Sequence, residues 1–141
     1  MTTRDTNPTA ATPLAHDALN VLLVDDDSFQ LDLMSEALES LGVRNITTAT
    51  SGEQALQLMS EPRRFDLMLL DLHMPDMDGF KFMDALAKTP YAGALIIVSG
   101  QSSDVMDAAT MVAKLRRFTL LGSVPKPVGR VALSHLLTKL G

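Results

Sequence analysis

Apolar residues along this chain fall into two alternating patterns. The first is the short unbroken run: Val21 to Val24 (VLLV), Phe65 to Asp71 (FDLMLLD), Ala94 to Gly100 (ALIIVSG) and Leu120 to Val124 (LLGSV). Runs of this length suit strands buried on both faces. Asn45 to Thr50 (NITTAT) is β-branched and polar, and also reads as a strand. The second pattern is helical. Leu31, Met34, Leu38 and Leu41 share one face, and Gly42 follows at a plausible helix end. Ser51 and Gln54 fit a capping box that opens a helix burying Ala55, Leu56 and Met59. Further helices are predicted from Phe80 to Lys88, from Ser103 to about Arg116 with Val105, Ala109 and Val112 inward, and from Val128 to Leu140. Met74 to Gly79 (MPDMDG) reads as a loop broken by Pro75 and Gly79. Strand and helix thus alternate five times, which predicts a parallel sheet covered by helices on both faces.

Residues 1–18 lie outside this rhythm. They are rich in Thr, Ala and Pro and read as a flexible N-terminal tail before a single domain over 19–141. The 141 residues suit one domain, and the 46% hydrophobic content suits a packed core. The net charge of −5 argues against a nucleic-acid binder, because phosphate backbones reward clustered Lys and Arg. The absence of cysteine excludes disulfides, thiolate zinc sites and Cys nucleophiles. No run approaches a membrane span, and no secretory signal is visible, so a cytoplasmic location is expected.

In an open parallel α/β sheet the ligand site lies outside the carboxyl ends of the strands. Asp25, Asp26 and Asp27 end the first strand, Asp71 the third and Ser99 the fourth, and Lys126 follows the fifth. Adjacent carboxylates repel, so a cluster of them calls for a cation. Oxygen ligands without Cys or His favour a hard ion, and a few carboxylates with water favour Mg²⁺. A lysine and a hydroxyl nearby suit phosphoryl oxygens, and an aspartate can be the nucleophile in phosphoryl transfer.

Four motifs carry a resemblance over about residues 20–140: VDDD after the first strand, LLDLHMPDMDG around the third, IIVSG after the fourth and PKP after the fifth. In that order and spacing they resemble the response-regulator receiver domain of two-component signal transduction. The resemblance implies a flavodoxin-like, doubly wound five-stranded parallel sheet in the order 2-1-3-4-5. It implies that Asp71 is the phosphoacceptor, taking a phosphoryl group from a histidine kinase or phosphotransfer protein. Asp25 and Asp26 become the acidic pair, Asp26 ligating Mg²⁺ directly and Asp25 acting mostly through water. The backbone carbonyl of His73 joins Asp71 as a further ligand. Ser99 and Lys126 meet the phosphoryl oxygens, and Pro127 takes a cis peptide bond after Lys126. Asp27 receives no ligand role; it is expected to cap the first helix. Output is expected through a downstream protein or an attached output domain, with a dimer contact through the strand 4/strand 5 face. Neither nucleic acid nor membrane is an expected partner, and no enzymatic turnover is expected beyond self-dephosphorylation.

Two features depart from the family pattern. Ser123 stands where most receivers carry an aromatic residue, three before the lysine. The usual Gly-Ala step before the fifth strand is replaced by KLRRFTLLGSVPKPV, and the Ser99–Lys126 connection is long. That wording is similar to receivers joined to EAL-type cyclic-di-GMP phosphodiesterases. A small Mg²⁺-dependent phosphatase or phosphotransferase and a receiver used only for docking are the competing functions. The histidines His16, His73 and His135 are scattered and form no metal or triad pattern, although His73 beside the site is placed to tune phosphoryl lifetime.

Overall fold

The computed structural model describes residues 16–61, 64–72, 79–100, 103–116 and 118–140, and for Ser99 and residues 103–106 the backbone. Among these residues five strands alternate with five α-helices: β1 (Asn20–Val24), α1 (Ser28–Ser40), β2 (Asn45–Ala49), α2 (Gly52–Met59), β3 (Leu67–Asp71), α3 (Gly79–Leu86), β4 (Ala94–Ser99), α4 (Ser103–Leu115), β5 (Thr119–Pro125) and α5 (Arg130–Leu137). All strand pairs are parallel, in the order β2-β1-β3-β4-β5. This is the expected doubly wound, flavodoxin-like sheet.

Why β1, β3 and β4 are so apolar is plain from their two covers. Val21 and Leu23 of β1, Leu67 and Leu69 of β3, and Ile96 and Val98 of β4 pack on one side with Leu31, Met34 and Leu38 of α1 and Leu133, Leu136 and Leu137 of α5. Leu22, Val24, Met68, Leu70, Leu95 and Ile97 face the other side, against Ala55 of α2, Phe82, Met83 and Leu86 of α3, and Ala109 and Ala113 of α4. The alternation of side chains along each strand sends successive residues into opposite cores. Each fully buried Leu or Val adds about 1.5–3 kcal/mol of transfer free energy, before chain entropy is counted.

Local signals explain most boundaries. Asp27 caps α1, its side chain accepting from the Phe29 amide at 2.9 Å. Gly42, at φ +95°, turns the chain out of α1 as expected, while Leu41 is only partly buried. Ser51 caps α2 through the Gln54 amide at 3.1 Å. The reciprocal bond differs from a strict capping box: the Gln54 Oε1 accepts from the Thr50 amide at 2.7 Å, one residue before the cap.

Other boundaries move. β3 starts at Leu67, not Phe65; Asp66 lies just before it, its side chain accepting the Asn20 amide at 2.9 Å. α3 ends at Leu86 and α5 covers only Arg130–Leu137. Val128 is buried in the α1–α5 core but precedes the helix, whose cap is Gly129. β5 is longer than expected and contains a bulge between its pairings with Leu95 and Ile96. His16–Ala18 form a 3-10 turn held by the His16 Nδ1 contact to the Leu41 carbonyl, 3.0 Å. Residues 1–15 and most of the Met74–Gly79 loop lie outside the described residues, as does the Val105 side chain.

Candidate functional site at the carboxyl ends of the strands

The parallel order brings the ends of β1, β3, β4 and β5 to one edge of the sheet. Asp25 continues the β1–β2 ladder by one bond, its amide donating to the Ala49 carbonyl at 3.1 Å. Its side chain is fully buried. Asp71 ends β3 and is 1% exposed. Asp26, next in the chain after Asp25, is exposed. One carboxylate oxygen from each of Asp25, Asp26 and Asp71 lies within 4.8 Å of the others, an arrangement that could hold a metal ion.

Lys126 completes the cluster from beyond β5. Its Nζ lies 3.0 Å from Asp25 Oδ2 and 3.2 Å from Asp71 Oδ1, so one ammonium bridges two buried carboxylates. Burial alone would push the lysine pKa down. The hydrogen bond to Asp25 and the charges of Asp71 and Asp25 outweigh it, and the pKa lies above the ordinary lysine value. The ammonium is therefore charged at neutral pH. The other oxygen of Asp25, Oδ1, accepts the Asp27 amide at 2.9 Å. Both Asp25 oxygens are thus engaged by the protein, while Asp26 faces solvent. Three carboxylates and one ammonium leave net negative charge, and every donor is a hard oxygen, a set that fits Mg²⁺ better than a softer ion.

The Lys126–Pro127 peptide is cis, as the resemblance implied. The β4 backbone brings Ser99 opposite Pro125, next to Lys126. His73 lies outside the described residues, so its carbonyl ligand role stays a sequence expectation. Ser123 pairs with Ile97 on β4 and is exposed. Two features were not read from the sequence: the bridging position of Lys126 and the Asp27 amide on Asp25. The spacing of the Asp25–Asp27 run held the signal for the second, since an amide two residues on from an Asp can bond its carboxylate.

A groove of about 560 Å³ opens at the opposite end of the sheet, lined by Phe65, Asp66, Tyr91 and Thr119 among others. It touches none of the four charged groups above.

The family model described as "response regulator receiver domain" matches residues 21–138, nearly the whole described chain. The chain belongs to the response regulator receiver domain family. The receiver is 39% identical over 85 residues to a probable chemotaxis protein CheY from Rhizobium etli, covering 59% of this chain and 65% of that protein. It is 40% identical over 62 residues to a probable histidine kinase 4 from Oryza sativa subsp. japonica, covering 44% of this chain and 6% of that protein. The matched stretch therefore spans less than two thirds of these relatives' own lengths. Among solved structures, the receiver superposes on a CheY-like receiver domain from Methylobacillus flagellatus with a TM-score of 0.74 and 26% identity, covering 87% of this chain and 98% of that one. No helix among the described residues of the receiver is long and apolar enough to cross a membrane.

Proposed function

We propose that this receiver accepts a phosphoryl group on Asp71 in a Mg²⁺-dependent reaction and signals through a changed protein-contact surface. The observation that carries the reading is the convergence of Asp25, Asp26 and Asp71 on one point with Lys126 between the two buried carboxylates. In the reaction an Asp71 carboxylate oxygen attacks the phosphorus of a phosphohistidine on a histidine kinase or phosphotransfer protein. A P–O bond forms, the P–N bond breaks, and its electron pair returns to the imidazole. Asp25, Asp26, Asp71 and the His73 carbonyl would hold Mg²⁺, which supplies charge neutralisation at the transferring oxygens. Lys126 brings a second, built-in positive charge to the same place, and Ser99, at the end of β4, is the residue to which the family resemblance assigns the phosphoryl-binding hydroxyl. The Asp27 amide and Lys126 keep Asp25 fixed, so the anionic site needs no reorganisation before transfer.

The phosphoryl group adds about −1.5 to −2 charge at the mouth. A partner that binds the β4–β5 face better in that state shifts the population toward it. The partner is a downstream protein or an attached output domain, and the location is cytoplasmic. Ser123 cannot act as an aromatic switch, so the change is carried by Ser99, Lys126 and the backbone between them.

The test is mass spectrometry after incubation with Mg²⁺ and acetyl phosphate, a small phosphoryl donor. A gain of one phosphoryl group that disappears with EDTA and in Asp71→Asn supports the proposal. No gain with acetyl phosphate or with a phosphorylated kinase leaves a docking-only module. Turnover of unrelated phosphate esters makes the protein a phosphatase.

A further inference from the structure

β5 does not run evenly to Lys126. Leu95 of β4 pairs with Leu120, but the next residue, Ile96, pairs with Gly122. Leu121 is the extra residue of a bulge. An uninterrupted ladder would set Leu121 opposite Ile96, Ser123 opposite Val98 and Val124 opposite Ser99. Every residue from Gly122 onward would then lie one step, about 3.3 Å, further along, with its side chain on the other face of the sheet. The observed register instead sets Val124 opposite Val98 and Pro125 opposite Ser99. Leu121 and Val124, three apart, consequently share the α1–α5 core. The same register places Lys126 at Asp25 and Asp71. The long Ser99–Lys126 connection noted in the sequence is absorbed in part here.

Two contacts from the end of α5 meet the bulge. Gly122 has φ +158°, and a Cβ there would lie 2.7 Å from Leu136 Cδ2. Just past the helix, Lys139 Nζ donates to the Leu121 carbonyl at 3.1 Å. β5 is an edge strand, and among the described residues no further strand lies beyond it to fix the bulged residue. The bond from Lys139 spans 18 residues and ties the bulge to the core-packed helix.

We propose that Lys139 is a positioning residue for Lys126: its hold on the Leu121 carbonyl keeps the bulge in place, and with it the register that delivers Lys126 to Asp71. The consequence for phosphoryl transfer rests on the receiver reading; the consequence for register does not. The test compares the full chain with Lys139→Met and Lys139→Arg. Amide hydrogen exchange at Ser123 and Val124 reports the register. The rate of phosphoryl uptake from acetyl phosphate and the Mg²⁺ dissociation constant report the site. Lys139→Met is expected to exchange faster at these amides and to take up phosphoryl about fivefold more slowly, the size of one ordinary hydrogen bond. Mg²⁺ affinity should hold, and Lys139→Arg should restore both readouts. Unchanged exchange and uptake in Lys139→Met would overturn the proposal, as would a fall in thermal stability alone. If the unmutated chain takes up no phosphoryl group, the receiver function fails, and the exchange data still decide whether Lys139 holds the register.

Discussion

Gly93→Ala should destabilise the protein without touching its chemistry. Gly93 lies in the connection between α3 and β4, at the end of the sheet away from Asp71. A Cβ there would come 2.5 Å from the Tyr91 Oη, 2.7 Å from its Cζ and 2.8 Å from the Asp66 carbonyl oxygen. The Asp66 carbonyl cannot retreat cheaply, because it accepts the Ala94 amide at 2.9 Å where β4 begins. Tyr91 must move instead, and its hydroxyl then gives up its 2.6 Å bond to the Ala94 carbonyl. Losing that bond costs about 1 kcal/mol, and overpacking a close contact costs about 1–3 kcal/mol. The sum of about 2–4 kcal/mol should lower the melting temperature by roughly 10 °C in a domain of this size.

The same variant should change the alkaline limb of the stability curve. Burial first, and the nearby Asp66 charge second, push the Tyr91 pKa well above the ordinary tyrosine value. Because the neutral form is favoured in the fold, the contribution is fully present below about pH 10, the value of an unfolded tyrosine, and is lost as pH rises beyond it. Displacing the ring should flatten that loss, and Tyr91→Phe should remove it. The assay is thermal unfolding followed by circular dichroism between pH 7 and 11, beside phosphoryl uptake at pH 7. A Gly93→Ala protein that melts within about 1 °C of the unmutated one would show that a Cβ at this position is accommodated without displacing Tyr91, since ordinary surface substitutions stay near that size.

Three further outcomes follow from the site. Asp27→Asn should keep full phosphoryl uptake because its amide still holds Asp25, while Asp27→Ala should lose about 1 kcal/mol of stability as the α1 cap goes, read by urea unfolding. Lys126→Met strands two buried carboxylates without their shared ammonium; it should cost about 3 kcal/mol or more in the same assay and slow phosphoryl uptake strongly. Asp26→Ala removes an exposed carboxylate, so calorimetry should show Mg²⁺ binding abolished with the melting temperature within a few degrees.

Much of this fold is legible because β1, β3 and β4 are buried on both faces. VLLV and LIIV need no periodicity to be read, since each residue serves one core or the other. The site is legible for a related reason: the topology gathers strand ends, so Asp25, Asp26, Asp71 and Lys126 could be paired before any distance was known. Asp27 and Ser51 announce helix starts through their side chains. What stayed hidden depends on register. Leu120 and Leu121 are adjacent apolar residues in either a regular or a bulged strand, and nothing local decides between them. The bulge needs Gly122 against Leu136, a contact made across the fold. Val128 looked helical because it is apolar, yet it packs into the core before α5 begins. The Lys126 bridge inherits both problems, because its position follows from the β4–β5 pairing rather than from neighbours in sequence.

Asp71, and no other carboxylate of the cluster, is expected to take the phosphoryl group. Borohydride reduces an acyl phosphate to an alcohol and so marks the modified aspartate permanently. After incubation with Mg²⁺ and acetyl phosphate, reduction, digestion and peptide sequencing by mass spectrometry should find the mark at Asp71. A mark at Asp25 or Asp26, or a labelled Asp71→Asn protein, would rule out Asp71 as the phosphoacceptor.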